Sequence, residues 1–111
     1  MPFRKAVLSL AVLLLATAPL ALAQGTYTQL DPPDSDCFTF VFGIDSAGDI
    51  VGDYYDTSGS EHGFLLSQGV YTILDYPGGL TSPYGINDVG QIVGSAYVGT
   101  QDVAFLYDVL T

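Results

Sequence analysis

The pattern of apolar and polar positions divides the chain in two. Residues 6–23 are apolar almost without interruption, whereas from Gln24 onward apolar residues come in short clusters separated by Gly, Asp, Asn and Ser. The clusters Phe38–Phe42, Asp49–Tyr55 and Val70–Leu74 are rich in β-branched and aromatic residues, which favour strands, and no stretch after residue 23 has the period and length of a helix. Asp45-Ser46-Ala47-Gly48 and Asn87-Asp88-Val89-Gly90 fit tight hairpin loops, because Asp or Asn bonds the backbone two residues on and Gly accepts a left-handed conformation. Ser67-Gln68-Gly69 predicts a further turn on the same grounds. The fold class expected is all-β.

The strand pattern repeats. Residues 43–55, GIDSAGDIVGDYY, align without a gap on residues 85–97, GINDVGQIVGSAY, with seven of thirteen positions identical at an offset of 42. Tyr27-Thr28-Gln29-Leu30-Asp31 is answered by Tyr71-Thr72-Ile73-Leu74-Asp75, and Gly63-Phe64-Leu65 by Ala104-Phe105-Leu106. The sequence thus divides into two units, about 27–66 and 71–107, with Val109-Leu110-Thr111 opening a third. Each unit holds four predicted strands: the YT-x-LD segment, the strand leading into Gly-Ile, the Ile-Val-Gly strand after the hairpin, and the GFL or AFL strand. Four antiparallel strands in about 40 to 50 residues is the size of a β-propeller blade, so two blade-like units of an incomplete propeller are expected. Gly52 and Gly94, inside strands, predict a bulge or a close approach of backbones, such as contact between blades requires.

The apolar start has a different meaning. Arg4 and Lys5 precede the run, and Ala21-Leu22-Ala23 supplies a small-residue cleavage site, so residues 1–23 are expected to be a secretory signal peptide and the mature domain to be 24–111. A transmembrane anchor fits less well, since Pro19 interrupts a run shorter than the roughly 20 residues of a span. Cys37 lies too far past the cleavage point to be a lipidated first residue, and as the single cysteine it cannot form an intrachain disulfide.

Cleavage before Gln24 removes Arg4 and Lys5, the only basic residues, and moves the formal charge from −10 to −12. A surface so acidic repels phosphate backbones and anionic headgroups, which argues against nucleic-acid partners and against membrane insertion or adsorption of the mature chain. Its aromatic richness separates it from disordered acidic chains.

The order GINDVGQIVG at 85–94, its variant GIDSAGDIVG at 43–52, His62-Gly63-Phe64-Leu65 and Tyr71-Thr72-Ile73-Leu74-Asp75-Tyr76-Pro77-Gly78 resembles the bacterial extracellular family of HAF repeats, named for a His-Ala-Phe signature. The resemblance covers nearly all of the chain after residue 23. It implies export from a bacterium and a propeller-like or otherwise repetitive β fold, and it implies no activity. The second unit departs from the signature, with Val103 in the place of the histidine.

The chemistry available is limited. His62, the single histidine, occupies the signature position and is read as structural rather than catalytic, and there is neither a G-x-S-x-G elbow nor a second histidine for a zinc site. Asp45, Asp49, Asp53 and Asp56 cluster around one hairpin, and Asp49 and Asp53 share a face if the strand is regular. Oxygen-rich clusters suit calcium, so these four are the candidate ligands of a weak calcium site, although the spacing matches no EF-hand and a solvated acidic face is the plainer reading. Tyr54, Tyr55, Tyr76, Tyr84 and Tyr97 are candidates for stacking on sugar rings or, equally, for strand packing.

The function expected is that of a non-enzymatic exported β-repeat protein, secreted or periplasmic, serving as a binding or structural surface module for a carbohydrate or cell-surface ligand. The alternative is a piece of a larger extracellular propeller protein, an enzyme or a lectin-like carbohydrate binder. Repeat architectures need about three or more units to bury a continuous core, so two units are expected to form homo-oligomers.

Overall fold

A computed structural model of the chain describes residues 24–110, with the side chain of Cys37 left aside; the expected signal peptide at 1–23 and Thr111 lie outside these residues. Seven strands follow one another: β1 (Ser35–Ile44), β2 (Ile50–Asp56), β3 (Glu61–Ser67), β4 (Val70–Leu74), β5 (Gly79–Ile86), β6 (Gln91–Val98) and β7 (Gln101–Asp108). Among the described residues there is no helix. The strands form two antiparallel sheets, ordered β1-β2-β3-β4 and β5-β6-β7.

The two predicted hairpins are built alike. Asp45 Oδ1 accepts from Ala47 N at 3.0 Å and Asp49 N at 2.9 Å, and Asn87 Oδ1 accepts from Val89 N at 3.1 Å and Gln91 N at 2.9 Å. One side-chain oxygen closes each loop, as an Asx turn does. The third predicted turn, at Gln68-Gly69, joins β3 to β4 with both residues at positive φ, 51° and 81°.

The strands group differently from the division expected from sequence. Val70–Leu74 pairs back onto β3 through the short Gln68-Gly69 turn and is the last strand of the first sheet, whereas the following turn at Tyr76–Gly79 carries the chain over to the second sheet. Its counterpart Tyr27–Asp31 belongs to no strand. Val109-Leu110 is a turn after β7, in the place of Gln68-Gly69. A tight turn holds the chain in the same sheet; a four-residue linker frees it to leave.

Side chains alternate between the two faces of a strand. Val51, Leu65 and Leu74 project from the first sheet to meet Ile92 of the second, and Ile86 and Phe105 pack against them. Val51 faces Leu65 in the first sheet, and the equivalent pair of the second sheet is Val93 and Leu106. Yet the second sheet makes the contact with its other face, through Ile92 and Phe105. The sheets therefore stack front to back, and equivalent positions come together. A Cβ on Gly43 would lie 3.3 Å from Gly85 Cα, and Ser46 N donates to Asp88 Oδ1 at 2.8 Å across 42 residues, the offset of the repeat.

Gly52 and Gly94 are required within their own sheets. A Cβ on Gly52 would run into the Phe40 carbonyl, and one on Gly94 into the Ser82 carbonyl, beside bulges at Val41–Gly43 and Pro83–Gly85. The close approach expected from sequence is thus to a bulged neighbouring strand, not between sheets. Since the obstacle is backbone, Gly52→Ala and Gly94→Ala should each destabilise the protein by about 1–3 kcal/mol, the usual cost of overpacking. Gly25→Ala, where a Cβ meets nothing within 4 Å, should leave denaturant midpoints unchanged.

Candidate functional site

Most of the titratable groups with altered chemistry lie at one end of the first sheet, on both of its faces; Asp88, in the β5–β6 hairpin, is set apart, held below its ordinary value by hydrogen bonds from Ser46. Asp53 is on β2, an interior strand, and faces the second sheet together with Tyr55, Gly63 and Glu61, as the pairing of Asp53 with Gly63 and Tyr55 with Glu61 requires. Pro83 of β5 closes over this surface, 2.8 Å from the Cβ position of Gly63. Asp53 is left only 3% exposed. The Ser82 hydroxyl stands between two carboxylates, 2.9 Å from Asp53 Oδ2 and 3.0 Å from Glu61 Oε2.

A single hydroxyl proton can be donated to only one of them. Both contacts are satisfied when Asp53 carries a proton and donates to Ser82, which in turn donates to Glu61. Burial, with the Glu61 hydrogen bond and charge acting in the same direction, pushes the Asp53 carboxyl up to about 7 against the smaller opposing pull of Ser82. Asp53 Oδ1 has no hydrogen-bond partner among the described residues, which further disfavours a buried anion.

On the opposite face His62 ties three strands together. Its Nε2 lies 2.7 Å from Asp56 Oδ2 at the end of β2, and its Nδ1 lies 2.8 Å from Asp75 Oδ1 just past β4. Burial works against the imidazolium, but the hydrogen bonds and charges of Asp56 and Asp75 outweigh it and raise its pKa. Asp56 is held well below the usual carboxylate range by the Ser58 hydroxyl, then by His62 and the Ser60 amide.

The four aspartates read as a calcium set are not brought to one point. Asp45 and Asp49 are at the hairpin end of β2, where Asp45 closes its own loop; Asp56 is at the far end bonded to His62; Asp53 is sealed between the sheets. Asp49 precedes the strand and so does not share a regular face with Asp53. Among the described residues no group of three or more His, Cys, Asp or Glu side chains is arranged to hold a metal ion. Of the tyrosines, Tyr54 is buried, Tyr55 and Tyr76 are half-buried, and Tyr84 and Tyr97 are exposed. The sequence pattern does not point to Glu61 or Ser82. Glu61 becomes recognisable once the register sets it opposite Tyr55, while nothing around Ser82 announces its partners.

Chemically the arrangement stores a proton at a closed seam rather than presenting one to solvent. No family model, curated protein or solved structure matches the chain. No helix among the described residues is long and apolar enough to cross a membrane.

Because the folded value of Asp53 lies above its ordinary 3.8, its stabilising contribution is fully present below about pH 4 and is lost as pH rises through about 7. Asp53→Asn keeps the shape without the ionisation. It should remove a loss of stability on the order of 2 kcal/mol between about pH 5 and pH 8, read from denaturant midpoints. Parallel pH profiles for the two proteins would contradict a protonated Asp53.

The raised pKa of His62 gives a contribution present below about pH 6.5 and lost as pH rises through the folded value. His62→Gln should therefore cost about 1 kcal/mol near pH 5, given solvent screening of a partly exposed pair, and less near pH 9. A cost independent of pH would assign the histidine a packing role alone.

Proposed function

We propose that the protein is an exported, non-enzymatic β-repeat module of the HAF type, whose sheets are propeller-type blades and which acts as a binding or structural surface unit outside the cell. The observation that carries this reading is the front-to-back stacking, in which Gly43 meets Gly85 and Ser46 meets Asp88 at the repeat offset. Units related in this way can continue indefinitely or close into a ring, and that is how repeat modules build broad surfaces. The leader anatomy at 1–23 supports export, and the recurring GI-x-x-x-G-x-IVG motif supports the family. Asp53 is tied to Ser82 between the sheets and Asp56 to His62 at the end of β2, which leaves the exposed strand faces for binding. Of the five candidate tyrosines, Tyr84 and Tyr97 are exposed and available to a carbohydrate or cell-surface ligand.

A tandem insertion tests the stacking. A second copy of residues 35–78 placed after Gly78 should give a three-sheet chain with a higher denaturant midpoint and a single cooperative transition, because each added unit contributes another interface. An inserted copy that melts separately, or lowers the midpoint, would show that the units do not stack as blades.

A further inference from the structure

The segment Tyr27–Asp31 belongs to no strand although its counterpart Tyr71–Asp75 supplies β4, and Tyr27 is fully exposed. The turn that follows it is nevertheless already formed. Ser35 N donates to Pro32 O at 3.2 Å, as Gly79 N donates to Tyr76 O at 3.0 Å, and the third turn residue is left-handed in both, Asp34 at φ 64° and Gly78 at φ 74°. Each turn has proline before that residue, at Pro33 and Pro77, and each lies at the same distance from its YT-x-LD segment, an offset of 44 residues throughout. Residues 32–35 thus have the geometry that, at 76–79, delivers a last strand to one sheet and a first strand to the next.

The position that corresponds to β4 in the second sheet lies beside β7. Among the described residues β7 is its edge, with three strands where the first sheet has four. An apolar groove of about 360 Å³ runs beside that edge, between Ile73, Leu74 and Tyr76 on one side and Phe105, Leu106 and Tyr107 on the other. On the adjoining face Val93 and Leu106 are 49% and 61% exposed, whereas the equivalent pair Val51 and Leu65 is buried against a neighbouring sheet.

We propose that residues 27–31 of one copy pair antiparallel with β7 of a second copy, completing its second sheet, so that chains associate head to tail. This rests on reading the sheets as stacking units. A chain's own segment is on the wrong side. By the geometry of the 76–79 turn, the strand before β1 belongs to a sheet behind the first one, on the face of Tyr54 and Phe64, while the chain's own second sheet lies in front, on the face of Val51 and Leu65. The acceptor is therefore another molecule. Carrying over the β3–β4 register, in which Phe64 faces Ile73, Leu65 faces Thr72 and Leu66 faces Tyr71, sets Phe105 opposite Gln29, Leu106 opposite Thr28 and Tyr107 opposite Tyr27.

The register makes the proposal testable by cross-linking, since directly paired strand residues come within disulfide reach. In a Cys37→Ser background, full chains carrying Thr28→Cys with one tag and Leu106→Cys with another are mixed and mildly oxidised. The expected product is a linked pair bearing both tags, formed at least tenfold faster than pairs of either variant with itself. Gln29→Pro lies outside every strand of the isolated chain but blocks strand pairing. It should weaken self-association at least tenfold by light scattering without altering the circular dichroism. Equal rates for all pairings, a monomeric intrachain link in a chain carrying both cysteines, or association unaffected by Gln29→Pro would each overturn the proposal. If the tandem-insertion chain stacks while these cross-links fail, the stacking stands and the strand exchange falls; if both fail, the blade reading falls with it.

Discussion

Val51, Leu65 and Leu74 meet Ile92 across the two sheets, with Ile86 and Phe105 packed against them, and the rest of the structure is arranged around this contact. A small antiparallel sheet gains most of its stability by covering an apolar face, and the front of the first sheet is covered in this way. A second sheet related to the first by simple repetition can provide that cover only with its back. That restriction explains why equivalent residues, such as Gly43 and Gly85, meet across the seam, and why a Cβ at Gly43 would be tightly placed. It also explains why the front of the second sheet, with Val93 and Leu106, is left in solvent.

The polar end of the seam follows from the same packing. Once β5 crosses the first sheet, Pro83 and Ser82 lie over Gly63, Asp53 and Glu61, and an acid is caught beneath the Pro83 ring and the Ser82 hydroxyl. Keeping Asp53 protonated is the cheaper solution, since a neutral carboxyl can donate where an anion can only accept. His62 solves the opposite problem. It stands in partial solvent between two acids, and its raised pKa offsets some of the repulsion within a chain with 12 acids. The two groups therefore differ because one is sealed and the other is flanked by partners of opposite charge.

Much of this was legible in the residues. The strands from β1 to β7, the two Asx-closed hairpins and the Gln68-Gly69 turn follow from short apolar clusters and loop chemistry, both of which act over a few neighbouring positions. The need for glycine at 52 and 94, beside a bulge or a close backbone, was also visible, but not which strands supply it, because the bulges opposite them belong to β1 and β5 and depend on the register. The calcium set shows the limit most clearly. Asp45, Asp49, Asp53 and Asp56 are close in sequence, yet a strand rises by roughly 3.3 Å per residue and turns alternate side chains away from each other, so proximity in the chain is separation in space. Glu61 and Ser82, which do reach Asp53, are brought to it by strand pairing and sheet stacking, which the local pattern does not encode.

The phase of the repeat is the most instructive difference. Self-similarity gives the period of a unit but not where one sheet ends and the next begins, because any cyclic shift of four strands repeats equally well. The choice is made by the connections. Gln68-Gly69 is a two-residue turn with both residues left-handed, the geometry that matches the twist of paired strands, so it binds β4 to β3. Tyr76–Gly79, with Pro77 and a left-handed Gly78, is free of that constraint and leads into β5 of the other sheet. The YT-x-LD strand is therefore adjacent in sequence to the unit it introduces and adjacent in space to the unit before it. A repeat phased in this way places the strand that opens one sequence unit, Val70–Leu74, in the sheet of the unit before it, so that neighbouring sequence units are joined by the ladder hydrogen bonds of β3 and β4 as well as by the packing of the sheets.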